Sequence, residues 1–290
     1  MLPTLGLPKK DEFMFDLLSI YNMTEDIANN AAAIAELQPG TTTTTTISST
    51  TTTATKFMIT TGDPQSSARK TEIVDVMSGL TCSELADFPV GTENAVGANL
   101  DGTPVICGGG DSSGYSEKCY RLKNGIWEEF ASMKEKRRYA AAVMYNNKLH
   151  VFGGQSSDSS SKLKTSVIIS VDGDVSDGPD LPTAVRFPAM TSINETVSIL
   201  SGGCTNLNCF SAQTWYYNHD TESFTSGPDL LEGRLAHDSS TNVDKVTKAK
   251  IVVVAGGYNG NRMDSTELLI NGQWQTGTIQ CRKQKYFDFF

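Results

Sequence analysis

The covalent chemistry open to this chain is thiol and amide chemistry. Cys107 and Cys119 flank a short segment centred on Ser113, and if the flanking residues pair as a hairpin the two thiols face each other and can be oxidised to a disulfide. Cys204 and Cys209 bracket the loop CTNLNC and form a second candidate pair, a staple across a hairpin mouth. Cys82 and Cys281 are then left over, with Cys82 a competing partner for Cys107 or Cys119. Two sequons, Asn22-Met-Thr24 and Asn194-Glu-Thr196, offer side-chain amides for N-glycosylation, the second on a predicted turn. The three histidines, His150, His219 and His237, fall at unrelated positions and read as structural, because a metal site needs ligands that converge on one locus. No glycine-rich phosphate loop and no Cys-x-x-Cys pair occurs. Hence no catalytic residue, metal or cofactor is expected.

What positions these groups is an internal repeat. Glycine-rich strand ends recur as TTGD at Thr60 to Asp63, CGGG at Cys107 to Gly110, FGGQ at Phe152 to Gln155, SGGC at Ser201 to Cys204 and AGGY at Ala255 to Tyr258. Measured on Gly62, Gly109, Gly154, Gly203 and Gly257 the intervals are 47, 45, 49 and 54 residues. A period of about 50 residues built on short apolar strands points to radial repetition of four-stranded sheets, a β-propeller. A second series runs in phase. Cys82 and Phe88, Trp127 and Met133, Val175 and Leu181, and Phe224 and Leu230 are each six residues apart, and Trp274 opens a fifth copy. An arginine follows the second marker by four or five residues in three copies, as Arg138, Arg186 and Arg234.

The pattern resembles the kelch repeat, in which an apolar strand ends in Gly-Gly, a tyrosine-bearing strand follows, and a tryptophan comes some seven residues later. The best copy joins CYRLKNGIWEEFASMKEKRR, with Tyr120 and Trp127, to YAAAVMYNNKLHVFGG, residues 139 to 154. The resemblance covers residues 56 to 276, with the pairs Gly108–Gly109, Gly153–Gly154, Gly202–Gly203 and Gly256–Gly257 as repeat markers. The first copy has one glycine and no tryptophan, and the third has valine at the tryptophan place. The resemblance implies a kelch-type propeller, the architecture also used by galactose oxidase. Its copper ligands have no residue-by-residue match here, and sialidase-type Asp boxes are absent.

Each unit reads as strands without the family. AAAVMY from Ala140 alternates small and apolar residues, the Asn146–Asn147 pair supplies a tight turn, and LHVFGG is the continuous apolar run of a strand buried on both faces. Leu100 to Gly102 and Ile193 to Glu195 fill the same turn. First strands are expected near Asn94, Tyr139, Phe187 and Leu235, with the first unit beginning at its second strand, Lys56 to Thr61. Five units result, the first lacking a strand. Two readings of the end stay open: a truncated chain, or an inner strand supplied by KYFDFF.

Outside the repeat lie an N-terminal segment, 1–40, mostly disordered with a short helix over Thr24 to Leu37 stopped by Pro39 and Gly40, and a threonine-rich linker, 41–55. A non-repeat tail, 277–290, ends the chain. The net charge of −9, from 24 Lys+Arg against 33 Asp+Glu, with no basic run, argues against nucleic acid. No apolar stretch reaches the ~20 residues that cross a bilayer. The start MLPTLGLPKKDEF lacks the apolar core of a signal peptide, which favours the cytoplasm, whereas the cysteine pairs, sequons and threonine tract favour an extracellular protein. The extracellular reading is preferred.

The function expected is therefore a non-catalytic protein-interaction module, with a propeller-based carbohydrate oxidase as the alternative. In such scaffolds binding sits in loops, here those after the glycine pairs. Tyr115, Phe210, Tyr258 and Arg262 are the candidate anchors, since aromatic and arginine side chains dominate interface energetics. Nothing in residues 1 to 55 resembles a dimerisation domain of intracellular kelch proteins, so partner identity and oligomeric state stay open. Non-reducing peptide mapping of the secreted protein should recover Cys107 with Cys119 and Cys204 with Cys209; a Cys82 crosslink would refute that pairing.

Overall fold

The computed structural model describes residues 21–23, 56–60, 69, 71–75, 81–111, 114–156, 161–243 and 250–277. The expected helix, the threonine-rich linker, Ser113, Cys281 and the tail beyond 277 lie outside these residues. The described chain is all β, with every strand pairing antiparallel. The first sheet runs β1 (Tyr21–Met23), β2 (Lys56–Thr60), β3 (Thr71–Asp75), β4 (Thr81–Glu84). The second holds β5 (Val96–Leu100) and β6 (Thr103–Cys107), then, past a ribbon of β7 (Gly110–Asp111) and β8 (Gly114–Tyr115), β9 (Lys118–Lys123) and β10 (Ile126–Ser132). The third is β11 (Ala141–Tyr145), β12 (Lys148–Phe152), β13 (Ser166–Ser170), β14 (Val175–Asp177). Next, β15 (Val185–Arg186) pairs with β18 (Cys204–Thr205) beside the fourth sheet, β16 (Ala189–Ser192), β17 (Val197–Ser201), β19 (Thr214–Asn218), β20 (Ser223–Ser226). The fifth is β21 (Asp238–Val243), β22 (Lys250–Ala255), β23 (Thr266–Ile270), β24 (Gln273–Thr276).

Each sheet is a meander in which hydrogen-bonded neighbours follow in sequence. The first strands adjoin one another in order, β1 by β5, β5 by β11, β11 by β16 and β16 by β21. Two expectations are corrected here. The first sheet is not short of a strand: β1, from upstream of the threonine-rich tract, pairs with β2 and so covers backbone donors and acceptors that an edge would expose. The first strands also begin about two residues later than the sequence implied, because Asn94, Tyr139, Phe187 and Ala236 hold left-handed backbone, with φ of 54°, 59°, 57° and 50°.

The core lies in seams between consecutive sheets. Phe88, Ile106, Tyr120 and Trp127 fill the first, with Phe88 set edge-on to both other rings. Leu100, Val105, Met133, Leu149, Val151 and Ile169 fill the second; Phe152, Leu181, Leu200 and Tyr217 the third; Ile199, Leu230, Val254 and Trp274 the fourth. Both tryptophan markers also bridge units by hydrogen bonds. Trp127 Nε1 donates to Thr71 Oγ1 at 3.3 Å, and Trp274 Nε1 donates to the Pro228 carbonyl at 2.9 Å. Second strands β6, β12 and β17 are buried over four successive residues, as strands covered on both faces must be. Register places Cys107 opposite Cys119, with Cα atoms 4.1 Å apart and the sulfurs bonded. Cys204 and Cys209 are likewise bonded across 3.7 Å. Cys82 sits on β4, opposite Val74.

The glycine pairs have a common steric cause. A Cβ on Gly108 would lie 2.2 Å from the Arg137 carbonyl of the following unit, and one on Gly109 would lie 2.7 Å from the Glu93 carbonyl of its own unit. The same two approaches recur at Gly153–Gly154 and Gly202–Gly203. Backbone therefore passes backbone at the exit of each second strand, which only a residue without Cβ allows. Gly154→Ala should lower stability by more than about 2 kcal/mol, since φ is +99° and the Arg138 carbonyl stands 2.7 Å from the new methyl. Gly125→Ala, at φ +76° with nothing within 4 Å, should cost only about 1 kcal/mol. Equal shifts of the thermal midpoint in the two variants would refute the steric account.

Candidate functional site

The loops that follow the glycine pairs gather at one end of the sheets, and the backbone there is shared between units. Glu93, Arg138, Arg186 and Leu235 occupy equivalent places, each pairing with the residue after a glycine pair: Gly110, Gln155, Cys204 and Tyr258. The next residue in each unit is the left-handed one, and these form a hydrogen-bonded series from unit to unit. Tyr139 N–H donates to the Asn94 carbonyl at 3.1 Å, Phe187 N–H to Tyr139 at 2.9 Å, and Ala236 N–H to Phe187 at 3.2 Å. Tyrosine and phenylalanine rarely adopt this backbone, at a cost of order 1 kcal/mol each, so the surrounding packing must hold them there. The result sets the side chains of residues 93, 138 and 186 next to one another.

Arg138 and Glu93 form a buried ion pair between the second and third units. The Arg138 guanidinium carbon also lies 4.5 Å from the Tyr139 ring centre and 5.5 Å from that of Tyr115. Gln155 Nε2 donates to the Tyr115 hydroxyl at 3.1 Å, and Arg186 Nη1 donates to Gln155 Oε1 at 2.6 Å, so a polar relay crosses three units. Beneath it the Tyr139 and Phe187 rings pack with centres 3.9 Å apart. Burial pushes the Tyr139 phenol above its usual range. Lys162, paired through backbone with Gln155, extends the charge toward Asn206. Glu93 pairs with Arg138, and Asp111 on β7, Arg186 and Lys162 stand at the same end, so charges of both signs meet there.

Of the expected anchors, Tyr115 belongs to this relay. Phe210 and Tyr258 form a separate contact, edge-on at 5.8 Å between the fourth and fifth units, and Tyr258 pairs through backbone with exposed Arg262. The disulfide-closed loop between Cys204 and Cys209 holds Leu207 outward, 95% exposed, on a turn in which Thr205 Oγ1 accepts the Leu207 and Asn208 N–H groups. The arginine series needs correction. Arg138 and Arg186 are equivalent, but Arg234 matches Arg137, and both of these are buried pegs. Arg234 donates to the carbonyls of Gly256 and Ser265 at 2.9 and 3.2 Å and pairs with Glu267 at 2.6 Å; Arg137 donates to those of Gly153 and Thr165 at 2.5 and 2.9 Å. Glu93 and Gln155 carried no signal in the sequence, because neither belongs to a repeated marker.

At the opposite end two histidines that seemed unrelated come together across the third and fourth units. His150 and His219 rings lie 5.2 Å apart, His219 stacks on Tyr145 at 4.3 Å, and its Nε2 shares a 2.8 Å hydrogen bond with Ser198 Oγ. His237 Nε2 is 2.9 Å from Ser201 Oγ. Among the described residues no three His, Cys, Asp or Glu side chains gather as a metal would require.

No family model and no curated protein matches the chain. One solved structure, titled "Structure of YjhT", superposes with a TM-score of 0.62 at 14% identity, over 76% of this chain and 80% of that one. The two share a fold.

Burial lowers the pKa of His150 to about 4, helped by the nearby His219 and Lys148; it lowers His219 to about 4 against the opposing pull of Asp220, and His237 to about 3, helped by Arg234. The unfolded chain therefore takes up protons below about pH 6.5 that the folded chain refuses until about pH 4. Stability from these groups is complete above pH 6.5 and should fall as the pH drops toward 4. His219→Gln should flatten that slope in thermal melts between pH 7.5 and 4.5; an unchanged slope would refute the assignment.

Proposed function

We propose that the five sheets are blades of a kelch-type β-propeller and that the chain is a non-catalytic protein-interaction module, extracellular, whose partner docks on the loop end. The repeat period, the meander sheets and the succession of adjoining first strands support the propeller. Two disulfides support an oxidising compartment. The observation that carries the binding role is the Glu93–Arg138–Tyr115–Gln155–Arg186 relay. It gathers polar and aromatic side chains from three units at one end and keeps them in fixed geometry, the condition for binding without a large ordering cost.

The guanidinium and ammonium groups gathered at that end, on Arg138, Arg186 and Lys162, suit a partner that presents a carboxylate-rich segment. Arg186 is half-buried and bonded to Gln155, and Arg262 is exposed. Phe210 and Tyr258 supply an adjoining aromatic surface.

A fluorescent peptide of alternating glutamate and serine should bind the full chain in an anisotropy titration and be released by salt, whereas the lysine-serine counterpart should not bind. Arg186→Glu should weaken binding by about tenfold or more, as loss of a charge-assisted contact does. Arg262→Ala should weaken it less, with the thermal midpoint within about 2 °C of the parent, as surface substitutions allow. Equal binding of the two peptides, or indifference to Arg186→Glu, would overturn the reading.

A further inference from the structure

The two sequons sit in different structural settings. Asn22 lies mid-strand in β1, opposite Phe57, on the strand that adjoins β5. Asn194 lies on the turn between β16 and β17, exposed to solvent. That turn is longer than those of the second and third sheets: Asp101–Gly102 and Asn146–Asn147 suffice there, whereas residues 193–196 make the connection in the fourth. The extra length is organised by the Asn194 side chain itself. Its Oδ1 accepts from the N–H of Thr196 at 2.9 Å, from the N–H of Val197 at 2.8 Å and from the Thr196 hydroxyl at 3.4 Å. All of these bonds go to the oxygen, and none uses Nδ2.

We infer that Asn194 is an N-glycan acceptor and Asn22 is not. A sugar on Nδ2 of Asn194 leaves every turn hydrogen bond intact, because Oδ1 continues to accept them, and it projects from an exposed turn where no chain must be displaced. In the transfer a C–N bond forms between Nδ2 and the anomeric carbon of a lipid-diphosphate-linked oligosaccharide. The sugar–phosphate bond of that donor breaks, the lipid diphosphate leaves with the electron pair, and the amide loses one proton. The inference rests on the extracellular reading and deepens it. A glycan at the turn end keeps that end solvent-facing, which leaves the loop end, on the far side of the sheets, for the partner.

The test uses the full chain behind an added secretory leader in a eukaryotic host. Intact mass before and after peptide-N-glycosidase, with peptide mapping, should show one glycan, at Asn194, and an Asn-to-Asp mass change there alone. Asn194→Asp keeps the turn bonds and should abolish the glycan while leaving the thermal midpoint and glutamate-peptide binding unchanged; Asn22→Gln should keep the glycan. Secreted protein with Cys107–Cys119 formed and Asn194 bare would overturn the glycan inference and leave the extracellular reading standing. Free thiols together with a bare Asn194 would overturn both. A glycan at Asn22, or lost peptide binding in Asn194→Asp, would overturn the assignment of the two ends.

Discussion

The structure depends on one repeated hydrogen bond, from the second glycine of the first three pairs to the unit that follows. Gly109 donates to the Arg137 carbonyl, Gly154 to that of Val185 and Gly203 to that of Arg234, each at 2.8 Å. The bond forms only because the first glycine lets that carbonyl approach to a distance a methyl group would block. Each unit exit is thereby locked to the next unit entry, and the apolar seams between sheets are held in register. Separate four-stranded meanders would each expose two apolar faces; chained in this way, they bury those faces against one another.

Around this joint the units differ in what they place at the entry position. Arg137 and Arg234 drive a guanidinium into the interior, where it meets carbonyls at the ends of the second and third strands. Burying that charge would be costly alone, and Glu267, itself accepting the Leu231 and Glu232 N–H groups, compensates it at Arg234. Thr92 does the smaller version of the same work, donating its hydroxyl to the Gly108 carbonyl at 3.3 Å, and Val185 fills the place with apolar bulk. The repeat thus fixes where backbone goes and leaves the side chain at the joint free to vary. That freedom is what allows the neighbouring residue, Arg138 or Arg186, to differ from Glu93 and Leu235 at the loop end.

The two ends of the sheets consequently have different electrostatic character. The loop end carries the Glu93–Arg138 ion pair and the Arg186–Gln155 bond beside the packed rings of Tyr139 and Phe187. The turn end between the third and fourth units holds neutral imidazoles among tyrosines, with Tyr145 bonded to Asp220 and the Tyr217 phenol pushed up to about 12 by burial. That the two groups lie at opposite ends follows from strand direction. Loops after second strands and turns after first strands must leave a meander on opposite sides.

The sequence by itself determined the period, the meander and the turns, and narrowed the cysteines to candidate pairs. Those features are local, or recur at fixed spacing, and register in an antiparallel hairpin sets Cys107 opposite Cys119 without help from the rest of the chain. Only the tertiary structure decided which arginine faces where. Arg138, Arg186 and Arg234 look alike at five, five and four residues past their markers, yet in extended chain a shift of one residue turns a side chain to the other face, so Arg234 is a peg driven between the second and third strands and the other two join the relay at the loop end. The partners Glu93 and Gln155, the meeting of His150 with His219, and the pairing of β1 with β2 were equally invisible. Each joins residues distant in sequence, and such contacts come from the packing of one unit on another or from a strand recruited from far upstream, which no spacing along a single chain encodes.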